Sequence, residues 1–473
     1  MKVKLKNICC IGAGYVGGPT MAVIADKSPN LQINVIDLNE RRISLWNESD
    51  LTKLPIYEPG LDEIIKRCRG RNLHFSTDIE KNISKADMIF ISVNTPTKTK
   101  GIGAGKASDL KWIDACARQI SKFAKGKTIV VEKSTLPVKT AQTVKRILDE
   151  AEGNFQKNES KLQFSVLSNP EFLSEGNAIN DLLNPDRVLI GGDDEESISI
   201  LEDIYLNWIE KEKIIKTNLW SSELSKLVAN AFLAQRISSI NSISSLCEVT
   251  GADIKEVGLA IGTDKRIGPF FLNAGPGFGG SCFKKDILNL TYICDHYGLS
   301  EVSNYWQKVI DINNWQNKRI SELLVEKLFG TISGKKIGIL GFAFKANTND
   351  IRESPAINIC KELILEGCTL SIYDPKVNIN QIKSVLGANN IQNSSDSNIK
   401  QVNWEFVQNV EESAYGSDAL VIVTEWDEFK NLNWQNIANL MRRPSWVFDT
   451  RSITDVKLVQ SFGINVWRVG LGN

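Results

Sequence analysis

The feature that most constrains the fold is a glycine-rich turn near the start of the chain. Residues 8–17 read ICCIGAGYVG and so place G-x-G-x-x-G at Gly12, Gly14 and Gly17, directly after a short apolar run. A helical pattern follows, and a second apolar run at 33–36 ends on Asp37. Such glycines allow a tight turn and let a pyrophosphate approach backbone amides at a helix N-terminus. The pattern predicts a Rossmann-type, doubly wound α/β domain that binds a dinucleotide.

The acidic residue at the tip of the second strand indicates which dinucleotide this is. Asp37 follows the glycines by about 20 residues, the position from which a carboxylate binds the hydroxyls of the adenosine ribose. A carboxylate there would repel a ribose phosphate, so we predict NAD as the cofactor rather than NADP. A tight turn without any ligand is the alternative interpretation.

The last third of the chain repeats this order of strands. Residues 335–345 resemble the first strand and its turn, 370–374 the second strand with its terminal acid, and 417–424 and 446–449 two later strands. We therefore predict two α/β sheets of similar topology. The second copy lacks G-x-G-x-x-G but carries Lys345, which favours an anionic ligand other than a dinucleotide.

A long helical pattern joins the two α/β regions. It begins near Ser221 and places Lys226 and Asn230 four residues apart, hence on one face. An isolated lysine is usually a solvated surface charge, but a lysine and an asparagine on a mostly apolar helix suggest a site. We predict three domains, at residues 1–220, 221–330 and 331–473.

Composition limits the classes of function. Lys+Arg and Asp+Glu both number 56, which argues against a nucleic-acid or membrane-surface partner. No apolar run approaches the roughly 20 residues of a membrane span. The 9 cysteines are scattered without a CxxC pair, as in a cytoplasmic protein with reduced thiols. With only 2 histidines, we expect neither a histidine triad nor a metal site.

One cysteine stands in a distinctive context. Residues 275–286 read GPGFGGSCFKKD, and an apolar-periodic run follows them. Ser281 is a candidate N-cap, which would put Cys282 at the first helical position, where the helix dipole favours a thiolate. Asp286 falls one turn later on the same face. The stretch is either the site of a reactive thiol or a glycine-rich turn before an ordinary helix.

Over nearly its whole length the chain resembles the UDP-glucose/GDP-mannose dehydrogenase family, in particular its animal-type members. The resemblance rests on ICCIGAGYVGGPT, YEPGLDE, FISVNTPTKT, EKSTLPV, SNPEFLSEGNAI, NPDRVLIGG, WSSELSKLVANAFLAQRISSINSIS, GFGGSCFKKD, LGFAFKANTNDIRES and FDTR. It implies an N-terminal NAD domain, a central helical dimerisation core and a C-terminal UDP-sugar domain. It also implies a homo-oligomer built from dimers, with a hexamer as one such arrangement.

The resemblance further implies a four-electron oxidation of UDP-glucose to UDP-glucuronate with two NAD and one water. Cys282 would be the nucleophile, forming a thiohemiacetal and then a thioester. Lys226 and Asn230 would stabilise the oxyanion. Asp286, Thr135 and Glu171 would order and activate water.

Binding residues follow from the same resemblance. For NAD it assigns Gly12, Gly14, Gly17, Asp37, Arg42, Thr95, Thr135, Glu175 and Arg352. For the UDP-sugar it assigns Glu171, Phe172, Leu173, Lys226, Asn230, Arg266, Phe278, Gly279, Cys282, Phe344, Lys345 and Arg451. Arg266 would reach the site of a neighbouring subunit.

One departure concerns the substrate. Animal members usually carry a lysine where this chain has Asn273, so affinity for the sugar could differ. A dehydrogenase for another nucleotide sugar, such as GDP-mannose or a UDP-N-acetyl-hexosamine, is the closest alternative. A non-catalytic NAD-binding protein is the alternative from another class, although it would be expected to have lost Cys282 or Lys226.

Overall fold

The computed structural model describes residues 5–135, 137, 139–152, 162–387 and 404–472. The chain divides into two compact units. The first comprises Met1–Ala229 with Leu288–Gly298, and the second Asn230–Ile287 with Leu299–Asn473. The predicted domain boundaries at 220 and 330 remain a prediction.

The first unit contains a sheet of eight described strands. They are β1 (Asn7–Ile11), β2 (Gln32–Ile36), β3 (Leu73–Ser76), β4 (Met88–Ile91), β5 (Lys127–Glu132), β6 (Gln163–Ser168), β7 (Val188–Gly191) and β8 (Ile214–Thr217). Their order is 3-2-1-4-5-6-7-8, and neighbouring strands are parallel except β6 and β7. The strand order reverses between β1 and β4, which opens a crevice at the carboxyl ends of these strands.

Helices cover both faces of this sheet. They are α1 (Gly17–Lys27), α2 (Glu40–Asn47), α3 (Leu61–Cys68), α4 (Ile79–Ile83), α5 (Lys111–Phe123), α6 (Thr140–Glu152), α7 (Ala178–Leu183) and α8 (Glu195–Tyr205). Successive residues of a strand point to opposite faces, so Cys9 and Cys10 belong to different buried apolar clusters. The sheet is therefore buried on both sides, as parallel sheets require.

The next four helices are α9 (Leu219–Thr250), α10 (Ile254–Gly262), α11 (Phe283–His296) and α12 (Ser300–Lys327). The predicted long helix is α9, which begins two residues before Ser221. Its serines are poor helix formers, but several donate back to carbonyls of the same helix, such as Ser242 to Ser239 at 2.7 Å. Ser238 instead donates to the carbonyl of Val309 in α12 at 2.7 Å. Packing and these hydroxyl bonds together stabilise the segment.

The second unit contains a sheet of six described strands. They are β9 (Lys336–Leu340), β10 (Thr369–Tyr373), β11 (Trp404–Phe406), β12 (Ala419–Ile422), β13 (Trp446–Asp449) and β14 (Asn465–Arg468), accompanied by α13 (Pro355–Leu365), α14 (Ile379–Leu386), α15 (Val410–Ala414), α16 (Trp434–Leu440) and α17 (Val456–Ser461). All neighbours are parallel, in the order 11-10-9-12-13-14, which matches the first six strands of the other sheet. The prediction of two sheets with similar topology is confirmed.

Asp374, the acid that follows β10, makes other contacts than Asp37, the acid that follows β2. Asp374 is buried and accepts hydrogen bonds from the amides of Phe342 at 2.7 Å and Ala343 at 3.0 Å, and from Trp426 Nε1 at 3.2 Å. Its carboxylate is therefore engaged by groups of the protein itself.

In the described parts of the chain, no helix combines the length and the apolar character that crossing a membrane requires.

Candidate functional site

Each fingerprint glycine meets a different spatial requirement. Gly12 has φ +112°, and a Cβ atom there would lie 2.2 Å from the carbonyl oxygen of Ser92. A Cβ atom on Gly17 would lie 2.0 Å from the carbonyl oxygen of Gly12. Around Gly14, in contrast, no atom lies within 4 Å of the Cβ position, so its backbone is open to a ligand. Gly12 and Gly17 shape the turn, while Gly14 leaves room for a pyrophosphate.

Asp37 is held at the tip of β2 by three donors. Its carboxylate accepts from the amides of Ala13 at 3.0 Å and Asn39 at 2.9 Å, and it pairs with Arg42 Nη1 at 2.9 Å. Asn39 also caps α2 by accepting from the Arg42 amide at 2.9 Å. The acid therefore stays beside the open turn, and these residues fit the adenosine half of NAD.

Two threonines join the tips of neighbouring strands at the crevice. The buried Thr95 hydroxyl, after β4, donates to the carbonyl of Thr135, after β5, at 3.0 Å. Ser134 donates to the carbonyl of Val93 at 2.7 Å. The structure thus brings Thr95 and Thr135 together. Glu175 lies in the turn before α7.

Glu58 is a candidate that the sequence does not single out. Its buried carboxylate accepts from the hydroxyl of Tyr15 at 2.5 Å, and from the amides of Gly176 at 2.6 Å and Ala178 at 3.0 Å. It ties the glycine-rich turn to the segment that carries Glu175. No periodicity or spacing rule connects residues 15, 58 and 176, so only the fold reveals this link.

Lys226 is buried and not a surface lysine. Its Nζ lies 3.2 Å from Glu171 Oε2, and the side chains are 4% and 8% exposed. The same Glu171 oxygen accepts from the Leu173 amide at 3.0 Å. The ring of Phe172 lies 5.4 Å from Lys226 Nζ and 3.9 Å from Arg187 Cζ. A desolvated ammonium group beside a carboxylate suits oxyanion stabilisation and proton transfer.

Cys282 stands immediately before α11. The helix begins at Phe283, so Cys282 itself occupies the capping position, and the prediction of Ser281 as the N-cap was wrong by one residue. The Ser281 hydroxyl lies 3.5 Å from the thiol sulfur. The amide of Asp286 donates to the Cys282 carbonyl at 2.9 Å, which places the two side chains one turn apart.

The carboxylate near Cys282 is buried and fixed. Asp286 accepts from Asn230 Nδ2 at 2.6 Å, and Lys285 Nζ lies 3.7 Å from its other oxygen. Asp286 and Asn230 are only 1% and 5% exposed. An asparagine from α9 therefore holds the acid that lies one turn after Cys282.

The other cysteines are unsuited to nucleophilic chemistry. Cys282 is partly exposed, while the remaining cysteines among the described residues are buried. Burial raises the pKa of Cys116 and of Cys368 to about 12, which keeps these thiols protonated.

The glycine loop that precedes Cys282, residues 275–280, packs against one aromatic side chain. A Cβ atom on Gly280 would lie 2.9 Å from the Phe344 ring, and one on Gly279 would lie 2.5 Å from the carbonyl oxygen of Glu353. Phe278 meets Phe283 edge to face at 5.8 Å. Within the second unit the fold thus brings together the glycine loop and Phe344.

Arg451 belongs to the same neighbourhood. Its Nε donates to the Val423 carbonyl at 2.7 Å, its Nη2 to the Phe344 carbonyl at 3.1 Å, and it pairs with Glu425 at 3.0 Å. Lys345 Nζ lies 5.7 Å from the ring of Phe344. Two cations thus flank Phe344 at the carboxyl ends of β9 and β12, where an anionic ligand could bind.

Two assigned arginines are engaged elsewhere in the second unit. Arg266 pairs with Asp264 at 2.5 Å, and its side chain is 88% exposed. Arg352 pairs with Asp350, while its carbonyl accepts from the Gly280 amide at 2.9 Å. Their assignments to a neighbouring subunit's site and to NAD remain predictions.

Profiles of three domains of one family match the chain. The NAD binding domain of the UDP-glucose/GDP-mannose dehydrogenase family matches residues 6–209, its central domain residues 220–315, and its UDP binding domain residues 338–456. The family expected from the sequence motifs and the NAD-binding domain are both confirmed.

Two similar proteins align with this chain over almost its full length. UDP-glucose 6-dehydrogenase 1 of Glycine max is 52% identical over 98% of this chain and 97% of its own. UDP-glucose 6-dehydrogenase 1 of Arabidopsis thaliana is 51% identical with the same coverage. Both relatives are plant proteins.

Solved structures confirm the α/β architecture. A UDP-glucose dehydrogenase from Pyrobaculum islandicum superposes with a TM-score of 0.84 at 29% identity, covering 99% of this chain and 98% of its own. A UDP-D-ManNAc dehydrogenase from Pyrococcus horikoshii gives 0.80 at 25% identity, with 98% and 99% covered.

Proposed function

Because the chain belongs to the UDP-glucose/GDP-mannose dehydrogenase family, we propose that it is a UDP-glucose 6-dehydrogenase that oxidises UDP-glucose to UDP-glucuronate with NAD. The observation that carries the chemistry is the thiol of Cys282, the partly exposed one, next to a carboxylate that Asn230 holds at 2.6 Å. The plant relatives at 52% and 51% identity support UDP-glucose as the substrate.

NAD, when bound, supplies the acceptor for the hydride that leaves the C6 carbon of the sugar. In the proposal the open backbone at Gly14 accommodates the pyrophosphate, with Gly12 and Gly17 shaping the turn, and Asp37 binds the ribose hydroxyls. Further contacts to the cofactor are assigned to Arg42, Thr95, Thr135, Glu175 and Arg352.

Cys282 acts between the two oxidations. Its thiolate sulfur forms a bond to the aldehyde carbon, the carbonyl π-electrons move to oxygen, and the oxygen takes up the proton that the thiol has lost, which gives a thiohemiacetal. Loss of a second hydride to the cofactor, together with the hydroxyl proton, leaves a thioester. Attack by water then breaks the C–S bond and releases carboxylate, thiol and one proton. Covalent capture retains the aldehyde, so that a four-electron oxidation is completed on one sugar.

Lys226 and Asn230 stabilise the negative charge that develops on the C6 oxygen. Each such donor contributes about 10²–10³ in rate when it is pre-organised in a desolvated site. Both side chains are nearly completely buried, which supports this role. Asp286, Glu171 and Thr135 order and activate the water, since carboxylates and a hydroxyl are available in this histidine-poor chain.

The contacts with the UDP-sugar are assigned residue by residue from the resemblance to the family. The cations Lys345 and Arg451 meet the diphosphate, where charge-assisted hydrogen bonds are strongest. The contacts with the rest of the substrate are assigned to Phe172, Leu173, Phe278, Gly279 and Phe344. Arg266 is assigned to the site of a neighbouring subunit, which requires a homo-oligomer built from dimers, a hexamer being one arrangement. We place the enzyme in the cytoplasm, which its 9 scattered cysteines without a CxxC pair support.

The proposal is tested by the ratio of NADH formed to UDP-glucose consumed, measured together with any free aldehyde. We expect two NADH per sugar and no aldehyde, and a ratio of one would contradict the four-electron mechanism. The same assay across GDP-mannose and UDP-N-acetyl-hexosamines decides the substrate, because a higher kcat/KM for one of these would reassign it.

The role of Cys282 is tested by Cys282→Ser. The weaker nucleophile should lower steady-state turnover by at least about 10³-fold, since covalent capture depends on the thiolate. Cys294→Ser, at a buried position of the helix that follows Cys282, is the matched control and should retain turnover. Normal turnover of Cys282→Ser would remove Cys282 from its role.

A further inference from the structure

The glycine loop at 275–280 is buried yet belongs to neither a helix nor a strand. Buried backbone amides and carbonyls need partners, so such a loop must obtain them from elsewhere. At Gly275 both partners are side-chain amides. Its N–H donates to Asn241 Oδ1 at 2.8 Å, and its carbonyl accepts from Gln316 Nε2 at 2.8 Å.

The same device recurs at Phe278. Its N–H donates to Asn313 Oδ1 at 2.7 Å, and its carbonyl accepts from Asn313 Nδ2 at 3.1 Å. The Asn313 carboxamide thus bonds to both the N–H and the carbonyl of Phe278, as a residue of a neighbouring β-strand would. Asn241, Gln316 and Asn313, which we call the amide clamp, are 0%, 0% and 6% exposed.

The clamp and the loop are matched in shape. Gly277 has φ +117°, and a Cβ atom there would lie 2.6 Å from Asn317 Nδ2 and 2.8 Å from Asn313 Oδ1. Asn317 in turn donates to the Asn313 carbonyl at 3.0 Å. Asn313 and Gln316 are three residues apart and so share one face of α12. The helix can approach the loop this closely only because residue 277 has no side chain.

We propose that the residues of the amide clamp are positioning residues for the reaction. They fix the glycine loop, and the loop in turn fixes the thiol of Cys282 and the sugar-binding backbone at Gly279. The proposal rests on the function proposed above. The hydrogen bonds that join the clamp to the loop are made with residues 275 and 278. The effect of the clamp on Cys282 passes through the few loop residues between them.

The test uses the full-length protein with Asn313→Ala, which removes two hydrogen bonds to the loop, and Gln316→Met, which removes one. Gln316→Met also removes the bond that Arg319 Nε donates to Gln316 Oε1. The matched control is Asn314→Ala, an exposed asparagine on the same helix. The rate at which iodoacetamide alkylates Cys282, followed by mass spectrometry, reports on the loop without turnover. We expect Asn313→Ala to accelerate this alkylation about tenfold, as the loss of two net hydrogen bonds implies.

Steady-state kinetics give a second measurement. The KM for UDP-glucose should rise about tenfold in Asn313→Ala and less in Gln316→Met, while the KM for NAD changes less than about twofold. A merely structural role predicts a lower melting temperature with alkylation rate and KM as in Asn314→Ala, and that result would overturn the proposal. If Asn313→Ala does not fold, the nearly isosteric Gln316→Met decides.

The two proposals fail in different ways. A wild-type protein that leaves UDP-glucose unoxidised would refute the proposed function, while the alkylation rates would still decide whether the clamp fixes the loop before Cys282. Wild-type oxidation with unchanged alkylation and KM in both clamp variants would refute the clamp alone.

Discussion

At the scale of single residues, β5 and α9 each carry a buried carboxyl group, Glu132 and Glu223. Glu223 accepts from the amides of Lys139 and Ala141, both at 2.8 Å, yet burial raises its pKa to about 7. Burial, and then the charge of Glu223, raise the pKa of Glu132 well above its usual value. Folding therefore favours the protonated form of these acids.

We predict a pH-dependent stability term that belongs to Glu223. The unfolded glutamate releases its proton near 4.5 and the folded one near 7, so the folded state binds more protons between these values. Stability should fall as pH rises through this window and level off above about 7. Through this group the wild type should lose up to roughly 3 kcal/mol of unfolding free energy across the window, and Glu223→Gln should not show that loss.

The measurement is chemical denaturation of wild type and variant at several pH values from 4.5 to 8. Glu256→Gln, at an exposed position of α10, serves as the control and should keep the wild-type slope. Parallel stability curves for wild type and Glu223→Gln would contradict the prediction.

Single residues also mark the limit of sequence reasoning. Cys282 and Asp286 were predictable because one helical turn separates them along the chain. Glu58 was not, because its partners Tyr15 and Gly176 are distant in sequence and meet only when the sheet has formed. Lys226 required burial to be known before its surface alternative could be excluded.

At the scale of elements, the glycines in the turn between β1 and α1 serve two purposes, one structural and one in binding the cofactor. Gly17→Ala should destabilise the fold by about 3 kcal/mol, since its Cβ atom would lie 2.0 Å from the Gly12 carbonyl oxygen. Gly14→Ala should leave the melting temperature unchanged, because nothing lies within 4 Å. Its methyl group would instead weaken NAD binding by at least about tenfold.

Thermal unfolding and calorimetric titration with NAD distinguish the two variants, and each serves as the other's control. Unchanged NAD affinity in Gly14→Ala would show that the open backbone is not where the pyrophosphate lies.

The similar topology of the two sheets could be predicted from local patterns, because an apolar run that ends on a polar residue is visible along the chain. The antiparallel contact of β6 with β7 was not predictable, since it rests on the single pair Ser168 and Gly191. The start of α11 was missed by one residue because Ser281 and Cys282 are both compatible with a cap. The periodicity of the sequence does not show which strands will pair with each other in the fold.

At the scale of the whole molecule, α9 carries large apolar side chains that the isolated chain leaves in solvent. Phe232, Leu246 and Val249 are 55%, 55% and 80% exposed. Patches of this kind mark interaction surfaces. They support the proposed homo-oligomer with α9 at its interface.

We predict that Leu246→Glu weakens self-association by about 100-fold, since it would bury an unpaired charge. Leu365→Glu, at an exposed leucine of α13, is the matched control and should leave the assembly intact. Sedimentation velocity measures both. An unchanged assembly in Leu246→Glu would place the interface elsewhere.

The second sheet shows what it would take to convert one half of this protein into the other. Gly341 repeats the role of Gly12, with φ +92° and a Cβ position 2.4 Å from Thr424. Asp374 repeats the place of Asp37, but its carboxylate already holds the turn through the amides of Phe342 and Ala343. An engineer who grafted the missing glycines into this turn would still meet a buried carboxylate, whereas Asp37 is only partly buried. The acid would first have to be released from its own backbone.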